Sequence, residues 1–260
     1  MNDSLSFERA AGFYDQTRPL FEPAARLGIQ AILEQAGASA RILDVGTGTG
    51  RISVPLLERG ADLVGCDLSP AMLRRLQKKR PEARILQADA SRLPFPGARF
   101  DAVLTVHVMH LIAPWQEALR EFKRVLSSNG VYLNVRTAAS VGPSVRERMR
   151  TFWRTWVEAH GVQIHQPGIR DFEQFRRELR SLGATLSEVD VVHFPIPLTI
   201  REELGRFVSR AYSDAWDIPD DVHAASMEAL QTWVDQEYGD LDRRYEDEGM
   251  FVVDVGRFES

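Results

Sequence analysis

Short apolar runs alternate with amphipathic helical segments along residues 41–136, and this alternation limits the possible folds more than any other feature of the chain. Parallel strands need long crossover connections, and helices supply them. The alternation therefore predicts an α/β fold with a parallel sheet. The predicted strands are residues 41–45, 61–67, 83–89, 100–106 and 131–136. The predicted connecting helices are residues 51–59, about 70–80 and 115–126.

The alternation of predicted strands and helices ends after residue 136. Residues 137–168 are expected to be irregular or helical, and residues 198–248 mostly helical. The whole chain, residues 1–260, is interpreted as one domain in which approximately 137–168 and 198–248 are cap insertions. Between and after them we expect a helix at 171–182 and strands at 185–194 and 250–258.

Charge and cysteine content exclude several classes of protein. The formal net charge is −5, and residues 214–248 alone carry −10, which argues against a nucleic-acid binder with a basic stripe. The single cysteine, Cys66, forms no internal disulfide and fits no zinc-ribbon spacing, so no metal is expected. No apolar run approaches the roughly 18 residues that span a bilayer, and no secretory signal is visible. We expect a cytoplasmic protein and no membrane partner.

The strongest chemical signal is LDVGTGTGR at residues 43–51, between a predicted strand and a helix. Its three glycines permit positive φ angles and close approach of a ligand to the backbone. Unpaired N–H groups at the start of the helix face the same crevice. A dinucleotide fingerprint needs glycine at position 51, which is arginine, and no nucleoside-triphosphate loop is present. The carboxylate of Asp44 would repel a pyrophosphate and suit a cationic group.

Two further carboxylates come at the ends of the next predicted strands. Asp67 ends strand two, where an acidic side chain can accept both hydroxyls of a ribose. Its alternative role is to cap the following helix, although Ser69 already fills that position. Asp89 ends strand three and could accept from an adenine amino group, with Ala90 offering a backbone N–H. The alternative for Asp89 is a turn-stabilising role.

Taken in order, the glycine turn, Asp67, Asp89 and the strand FDAVLTV resemble the class I S-adenosylmethionine-dependent methyltransferases. The likeness is nearest to the small-molecule and ubiquinone-biosynthesis type and covers roughly residues 10–136. It implies a Rossmann-like doubly wound sheet of seven strands in the order 3-2-1-4-5-7-6, with the last strand antiparallel. It also implies S-adenosyl-L-methionine as cofactor.

The resemblance assigns cofactor contacts by position. Asp44 and the turn from Gly46 to Gly50 would hold the amino-carboxylate part, Asp67 the ribose, and Asp89 with Ala90 the adenine edge. An N-terminal segment packs over the cofactor in relatives, and FYDQTRP at 13–19 would here offer Tyr14 and Arg18; the alternative is packing under the sheet. The implied cofactor-binding residues are Tyr14, Arg18, Asp44, Gly46, Thr47, Gly48, Gly50, Asp67, Leu68, Met72, Asp89, Ala90, Val106 and His107.

The implied reaction is an in-line displacement at the methyl carbon, which depends mainly on positioning. His107 and His110 are the imidazoles near the end of strand four, and either could act as a general base. The alternatives are packing of His107 against the cofactor and a structural role for His110. Cys66 is interpreted as a buried strand residue.

A small-molecule acceptor is expected, because the insertions are acidic and aromatic and no RNA-binding module is appended. The alternatives are a protein that binds S-adenosylmethionine without methyl transfer, a methyltransferase acting on RNA or protein, and a dehydrogenase, against which Arg51 argues. The sequence does not predict the oligomeric state.

Overall fold

The computed structural model describes residues 14–17, 22, 24–139, 144–165 and 167–259. They divide into two compact units. The first comprises the described residues within 1–137, 167–192 and 251–260, and the second those within 138–166 and 193–250. The two sequence ranges of the second unit nearly coincide with the two predicted insertions. The single-domain description and the cap role remain predictions.

Strand pairing confirms the predicted fold class. Within the described residues, seven strands form one mixed sheet in the order β3-β2-β1-β4-β5-β7-β6. Within the part of the sheet that β1 to β5 form, all four pairs of adjacent strands are parallel. The strands are β1 (Arg41–Val45), β2 (Asp62–Asp67), β3 (Arg84–Gln87), β4 (Phe100–Val106), β5 (Leu126–Ala139), β6 (Ala184–Thr199) and β7 (Arg244–Phe258).

Helices connect the parallel strands as the alternation predicts. None of the helices in the described ranges is both long and apolar enough to cross a membrane. The helices are α1 (Tyr14–Thr17), α2 (Ala24–Ala36), α3 (Ser53–Glu58), α4 (Pro70–Lys79), α5 (Trp115–Val125), α6 (Val145–Ala159), α7 (Phe172–Ser181), α8 (Ile200–Val208) and α9 (Asp220–Tyr238).

The start of α4 shows how local sequence sets an element that borders the site. Ser69 is the N-cap, and its hydroxyl accepts a hydrogen bond from the Met72 N–H at 3.2 Å. Pro70 occupies the first helical position, where a missing N–H costs nothing. Both features agree with the start predicted from Ser69-Pro70.

The junction of α5 and β5 differs from the prediction. We expected residues 127–130, SSNG, to separate helix from strand, but β5 begins at Leu126, directly after α5. The register against β4 shifts between the Phe100–Leu126 and Ala102–Val131 pairs. Asn129 has a φ of 63°, so the left-handed backbone that usually ends a helix here forms an irregularity inside the strand.

Apolar side chains from the sheet and its helices form the core of the first unit. Leu43 of β1 and Val103 of β4 are fully buried there, together with Phe122 of α5 and Phe175 of α7. The Tyr132 ring lies 5.4 Å from the Phe122 ring and 6.3 Å from that of Phe175, measured between centroids. This packing fixes β5 beside β4, whose carboxyl end borders the candidate site.

The second unit has its own core, built around Trp153 of α6. The Trp153 ring lies 5.5 Å from the Phe207 ring, and its indole N–H donates to the Ser226 hydroxyl at 3.1 Å. The buried stripe of α9 differs from the predicted one. We expected Val222, Ala225, Ala229, Leu230, Trp233 and Val234 to form one amphipathic stripe. Leu230 and Val234 are buried, and Val222 and Trp233 pack half-buried against this core. Ala225 is exposed, however, and His223 and Ser226 are buried in addition.

A buried ion cluster ties α6 to α8 within the second unit. Glu203 is fully buried and accepts from Arg146 and from Arg206, each at 3.1 Å, and from the Tyr212 hydroxyl. Burial of a carboxylate is tolerated only because several donors surround it. Removal of Glu203 would leave two partly buried guanidinium groups without this acceptor.

We predict that Glu203→Ala lowers the free energy of unfolding by about 3–5 kcal/mol, as expected when one partner of a buried ion pair is lost. The matched control is Asp242→Ala, which breaks the exposed pair with Arg201 and should leave the free energy of unfolding nearly unchanged. Urea denaturation of both variants measures the difference. Equal losses in the two variants would contradict this account of the cluster.

Candidate functional site

Parallel pairing brings the carboxyl ends of four strands to one edge of the sheet. β1 is central: Val45 pairs with Cys66 of β2 and with Thr105 of β4. β3 pairs with β2 on its other side. The residues that follow these strand ends therefore surround a common crevice, which is where open α/β sheets bind ligands.

The glycine turn after β1 is fixed by the neighbouring strand. The N–H groups of Gly46 and Thr47 both donate to the Cys66 carbonyl, at 2.8 and 3.0 Å. The Asp67 carboxylate accepts from the Gly48 N–H at 2.9 Å and from the Ser69 N–H at 2.8 Å. Asp67 thus orients both the glycine turn and the start of α4, while Ser69 caps the helix.

A cavity of about 690 Å³, partly open to solvent, lies at this edge. Most of the predicted cofactor-binding residues line it together. The lining residues are Tyr14, Val45, Gly46, Gly48, Asp67, Leu68, Met72, Ala88, Asp89, Ala90, Val106, His107, Val108, Leu111 and Ile112.

A second, smaller cavity of about 300 Å³ lies beside the glycine turn. It brings in the predicted residues Asp44 and Thr47 and shares several residues with the larger cavity. The lining residues are Tyr14, Asp44, Gly46, Thr47, Gly48, Thr49, Arg51, Ile52 and Val106. The two cavities therefore form adjoining parts of one candidate site.

Asp44 is a buried carboxylate with an unused acceptor. It is 2% exposed, and its Oδ2 accepts from the Ser53 hydroxyl. Among the described residues no group hydrogen-bonds to its Oδ1. Burial raises the pKa of Asp44 to about 6; hydrogen bonds from Ser53 and Thr47 oppose the rise, and the charge of Asp67 adds to it. A cationic donor beside Oδ1 would relieve both the missing hydrogen bond and the repulsion.

Asp89 combines a local role with a position in the cavity wall. Its Oδ1 accepts from the Ser91 N–H at 2.9 Å and from the Ser91 hydroxyl at 2.8 Å. These bonds form the turn that the alternative interpretation of Asp89 describes. Since Asp89 and Ala90 also line the cavity, the turn presents a carboxylate to it.

His107 follows β4 in a strained backbone conformation. Its φ is 51°, in the left-handed region that few residues other than glycine adopt, and its N–H donates to the Val135 carbonyl at 3.1 Å. Such strain persists where the surrounding structure fixes it and is frequent at functional sites. Val106 and His107 both line the larger cavity.

Among the described residues, two of the candidates, Gly50 and His110, do not line either cavity. Gly50 packs instead: a Cβ there would lie 2.8 Å from Leu76 Cγ, so glycine allows α4 to approach the turn. Arg18 lies outside the described residues. His110 lies in a 3₁₀ turn (Met109–Leu111), and Cys66 is fully buried in β2, where burial raises the pKa of its thiol.

The sequence did not predict the apolar residues that line the site. Val108, Leu111 and Ile112 line the larger cavity beyond His107, and Ala88 precedes Asp89. Their signal was weak, because apolar residues after a strand are equally typical of core. No group of metal-binding side chains occurs in the described ranges.

Comparison with known proteins agrees with the geometry. A methyltransferase domain family model matches residues 43–134, which include the glycine turn and strands β1 to β4. Residues 43–134 thus match a methyltransferase domain, and the order of the seven strands agrees with the fold that the resemblance to the class I S-adenosylmethionine-dependent methyltransferases implies.

Among similar sequences, an uncharacterised methyltransferase of Mycobacterium tuberculosis is 38% identical over 127 residues, which are 49% of this chain and 50% of that protein. A demethylmenaquinone methyltransferase of Thermus thermophilus is 41% identical over 40% of this chain and 50% of its own. The chain thus spans about half the length of these relatives. A malonyl-[acyl-carrier protein] O-methyltransferase of Halorhodospira halophila is 28% identical over 96% of this chain and 92% of its own.

Two solved structures share the fold. The YcgJ protein of Bacillus subtilis superposes with a TM-score of 0.60 at 17% identity and covers 90% of this chain and 98% of its own. Phosphoethanolamine N-methyltransferase 2 of Haemonchus contortus, in complex with S-adenosyl-L-methionine, gives 0.55 at 16% identity over 97% of this chain and 57% of its own.

The buried carboxylate leads to a prediction about stability and pH. The folded-state pKa of Asp44, about 6, lies above the ordinary aspartate value of 3.8, so the folded state binds the proton more tightly than the unfolded one. Ionised Asp44 therefore destabilises the ligand-free protein most above that pKa, and the penalty is relieved as the pH falls. Asp44→Asn should remove the penalty.

We expect the advantage of Asp44→Asn over the natural protein to grow by about 2 kcal/mol between about pH 4.5 and about pH 8 in urea denaturation. Asp62→Asn is the control. Hydrogen bonds from Arg84 and Arg41 lower the pKa of Asp62, so its loss should destabilise slightly at high pH. An Asp44→Asn advantage that does not depend on pH would contradict the prediction.

Proposed function

We propose that this protein transfers a methyl group from S-adenosylmethionine to a small-molecule acceptor. The observation that carries the proposal is the larger cavity, whose wall combines the glycine turn, Asp67, Asp89 and the end of β4. This is the set of residues expected to hold the amino-acid, ribose and adenine parts of the cofactor. The match of residues 43–134 to a methyltransferase domain model supports the same reaction class.

The residues around the turn fit the cofactor on two independent counts. The buried Asp44 Oδ1 has no donor among the described residues, which suits the ammonium group of a methionine moiety. Gly48 has a φ of 56°, and a Cβ there would meet only the Gly46 carbonyl oxygen, in ordinary contact at 3.9 Å. Glycine thus leaves the backbone accessible to a ligand at this point.

The proposed binding roles follow from position. Asp67 would accept from the ribose hydroxyls, with Leu68 and Met72 beside the adenine. Asp89 and the Ala90 N–H would recognise the adenine edge. Asp44, Thr47 and the turn from Gly46 to Gly50 would hold the methionine part, in which Gly50 acts by packing. We also propose Tyr14 and Arg18 as contacts to that part; Arg18 lies outside the described residues.

When bound, S-adenosylmethionine supplies a methyl group that its sulfonium makes electrophilic. The chain's own task is then to orient the acceptor and exclude water, and orientation can contribute about 7–11 kcal/mol. His107, at the end of β4, is proposed to face the acceptor. If the acceptor carries a proton, the His107 imidazole could take it and add about 10²–10⁴-fold.

The proposed acceptor is a small molecule. Named relatives act on demethylmenaquinone and on a malonyl group carried by a protein, as their names state. The −10 charge of residues 214–248 would repel the phosphates of a nucleic acid, so no nucleic-acid partner is proposed. We propose that the protein acts in the cytoplasm.

Calorimetry with S-adenosylhomocysteine and with NAD tests the proposed cofactor. The natural protein should bind the former and not the latter. Asp67→Ala should weaken binding of S-adenosylhomocysteine by about 1–3 kcal/mol, because ribose hydroxyls and two backbone N–H groups lose their acceptor. Preferential binding of NAD would contradict the proposal.

Asp62→Asn serves as control, since Asp62 lies at the opposite end of β2 and should leave the affinity unchanged. Transfer of a labelled methyl group to a panel of small acceptors tests the reaction itself. Label incorporated only into RNA or protein would favour a macromolecular acceptor. Tight cofactor binding with no transfer would favour a binding protein.

His107 can be tested without confusing chemistry with backbone strain. His107→Gly relieves the left-handed φ, and His107→Asn tolerates it, so neither variant should unfold the loop. If His107 is a general base, both should lower kcat about 10²–10⁴-fold with little change in affinity for S-adenosylhomocysteine. Equal losses of kcat and affinity would show a packing role instead.

A further inference from the structure

Contacts among three residues hold helix α1 against the glycine turn at the candidate site. The Asp15 Oδ1 accepts from the Thr49 hydroxyl at 2.6 Å, and its Oδ2 pairs with the Lys79 ammonium at 2.8 Å. Lys79 also donates to the Thr49 carbonyl at 2.9 Å. We call Asp15, Thr49 and Lys79 the latch. It joins α1, the glycine turn and the last residue of α4.

Helix α1 depends on such contacts for its order. It spans Tyr14–Thr17, and isolated helices shorter than about 12–15 residues are marginal in water. The neighbour of Asp15, Tyr14, lines both cavities. A contact that holds Asp15 in place therefore also holds Tyr14 in the cavity wall.

The latch is stronger than an ordinary surface ion pair. The Asp15 and Lys79 side chains are 38% and 39% exposed, and an isolated pair at that exposure contributes little. Thr49, however, is fully buried, so loss of Asp15 would leave its hydroxyl without this acceptor. Burial acts to raise the pKa of Asp15, but hydrogen bonds from Lys79 and Thr49 outweigh it and lower the pKa.

We propose that Asp15 and Lys79 are positioning residues that latch α1 onto the glycine turn and thereby slow release of the cofactor. The inference rests on the proposed function. If the cofactor binds tightly only when α1 is closed, its apparent affinity scales with the closed fraction. Opening the latch then raises the dissociation constant, chiefly through faster dissociation.

The test uses the full chain and S-adenosylhomocysteine as the probe. Asp15→Ala and Lys79→Met should each raise its Kd about 3- to 10-fold, equivalent to roughly 1 kcal/mol. The double variant should be no weaker than the weaker single variant, because both break one latch. Lys78→Met is the matched control: it removes an exposed lysine from the same helix and should leave the Kd unchanged.

Two readouts separate positioning from a general loss of structure. Asp15→Ala should have no further effect in a Tyr14→Ala background, because the latch acts through Tyr14. Hydrogen exchange of the ligand-free protein should rise in the peptide containing Tyr14–Thr17 in both latch variants, with an unchanged unfolding midpoint. Variants that bind and exchange like the natural protein would overturn the latch, as would a Lys78→Met effect equal to that of Lys79→Met.

The experiments give a different result if the proposed function, and not only the latch, is wrong. A natural protein that does not bind S-adenosylhomocysteine would overturn both proposals, whatever the exchange data show. Binding by the natural protein with unaffected latch variants would overturn the latch alone.

Discussion

The candidate site depends on the contact between the glycine turn and the carbonyl of Cys66. Two consecutive N–H groups, from Gly46 and Thr47, converge on that one acceptor, which belongs to the neighbouring strand β2. The contact forces the chain to turn at the end of β1 instead of continuing along it. It also sets the turn beside Asp67, whose carboxylate accepts from Gly48 and Ser69. One backbone acceptor and one side chain thus fix the floor of the cavity and the start of α4 together.

This arrangement explains why the fold was predictable. Parallel pairing follows from the alternation of strands and helices, and the ends of parallel strands meet at one edge. Asp67 and Asp89 could therefore be placed beside the glycine turn from their positions in the sequence. The start of α4 was predictable for a local reason, since Ser69 and Pro70 act within one turn of helix.

The parts that the sequence did not predict depend on contacts between distant residues or on backbone angles. The strand β5 begins at Leu126 because pairing with Phe100 overrides the turn tendency of SSNG. The buried face of α9 is set by its packing in the core of the second unit. That packing buries His223 and Ser226 and leaves Ala225 exposed. Gly50 was predicted to contact the cofactor, whereas in the structure it packs against Leu76 of α4. The contacts among Asp15, Thr49 and Lys79 join positions 34 and 30 residues apart and had no local signal.

The charges in the cavity walls restrict the class of ligand more than the shape of the cavities does. Asp44 is buried, and the charge of Asp67 adds to the rise of its pKa. With Asp89 also in the cavity wall, three carboxylates border the two adjoining cavities. A diphosphate placed there would add negative charge where repulsion is already present, and low-dielectric surroundings would strengthen that repulsion. A ligand with an ammonium group and a sulfonium reverses the sign of the interaction and supplies the donor that the Asp44 Oδ1 lacks. The cost of burying the Asp44 carboxylate without a cationic partner is therefore consistent with a site organised around a cationic cofactor.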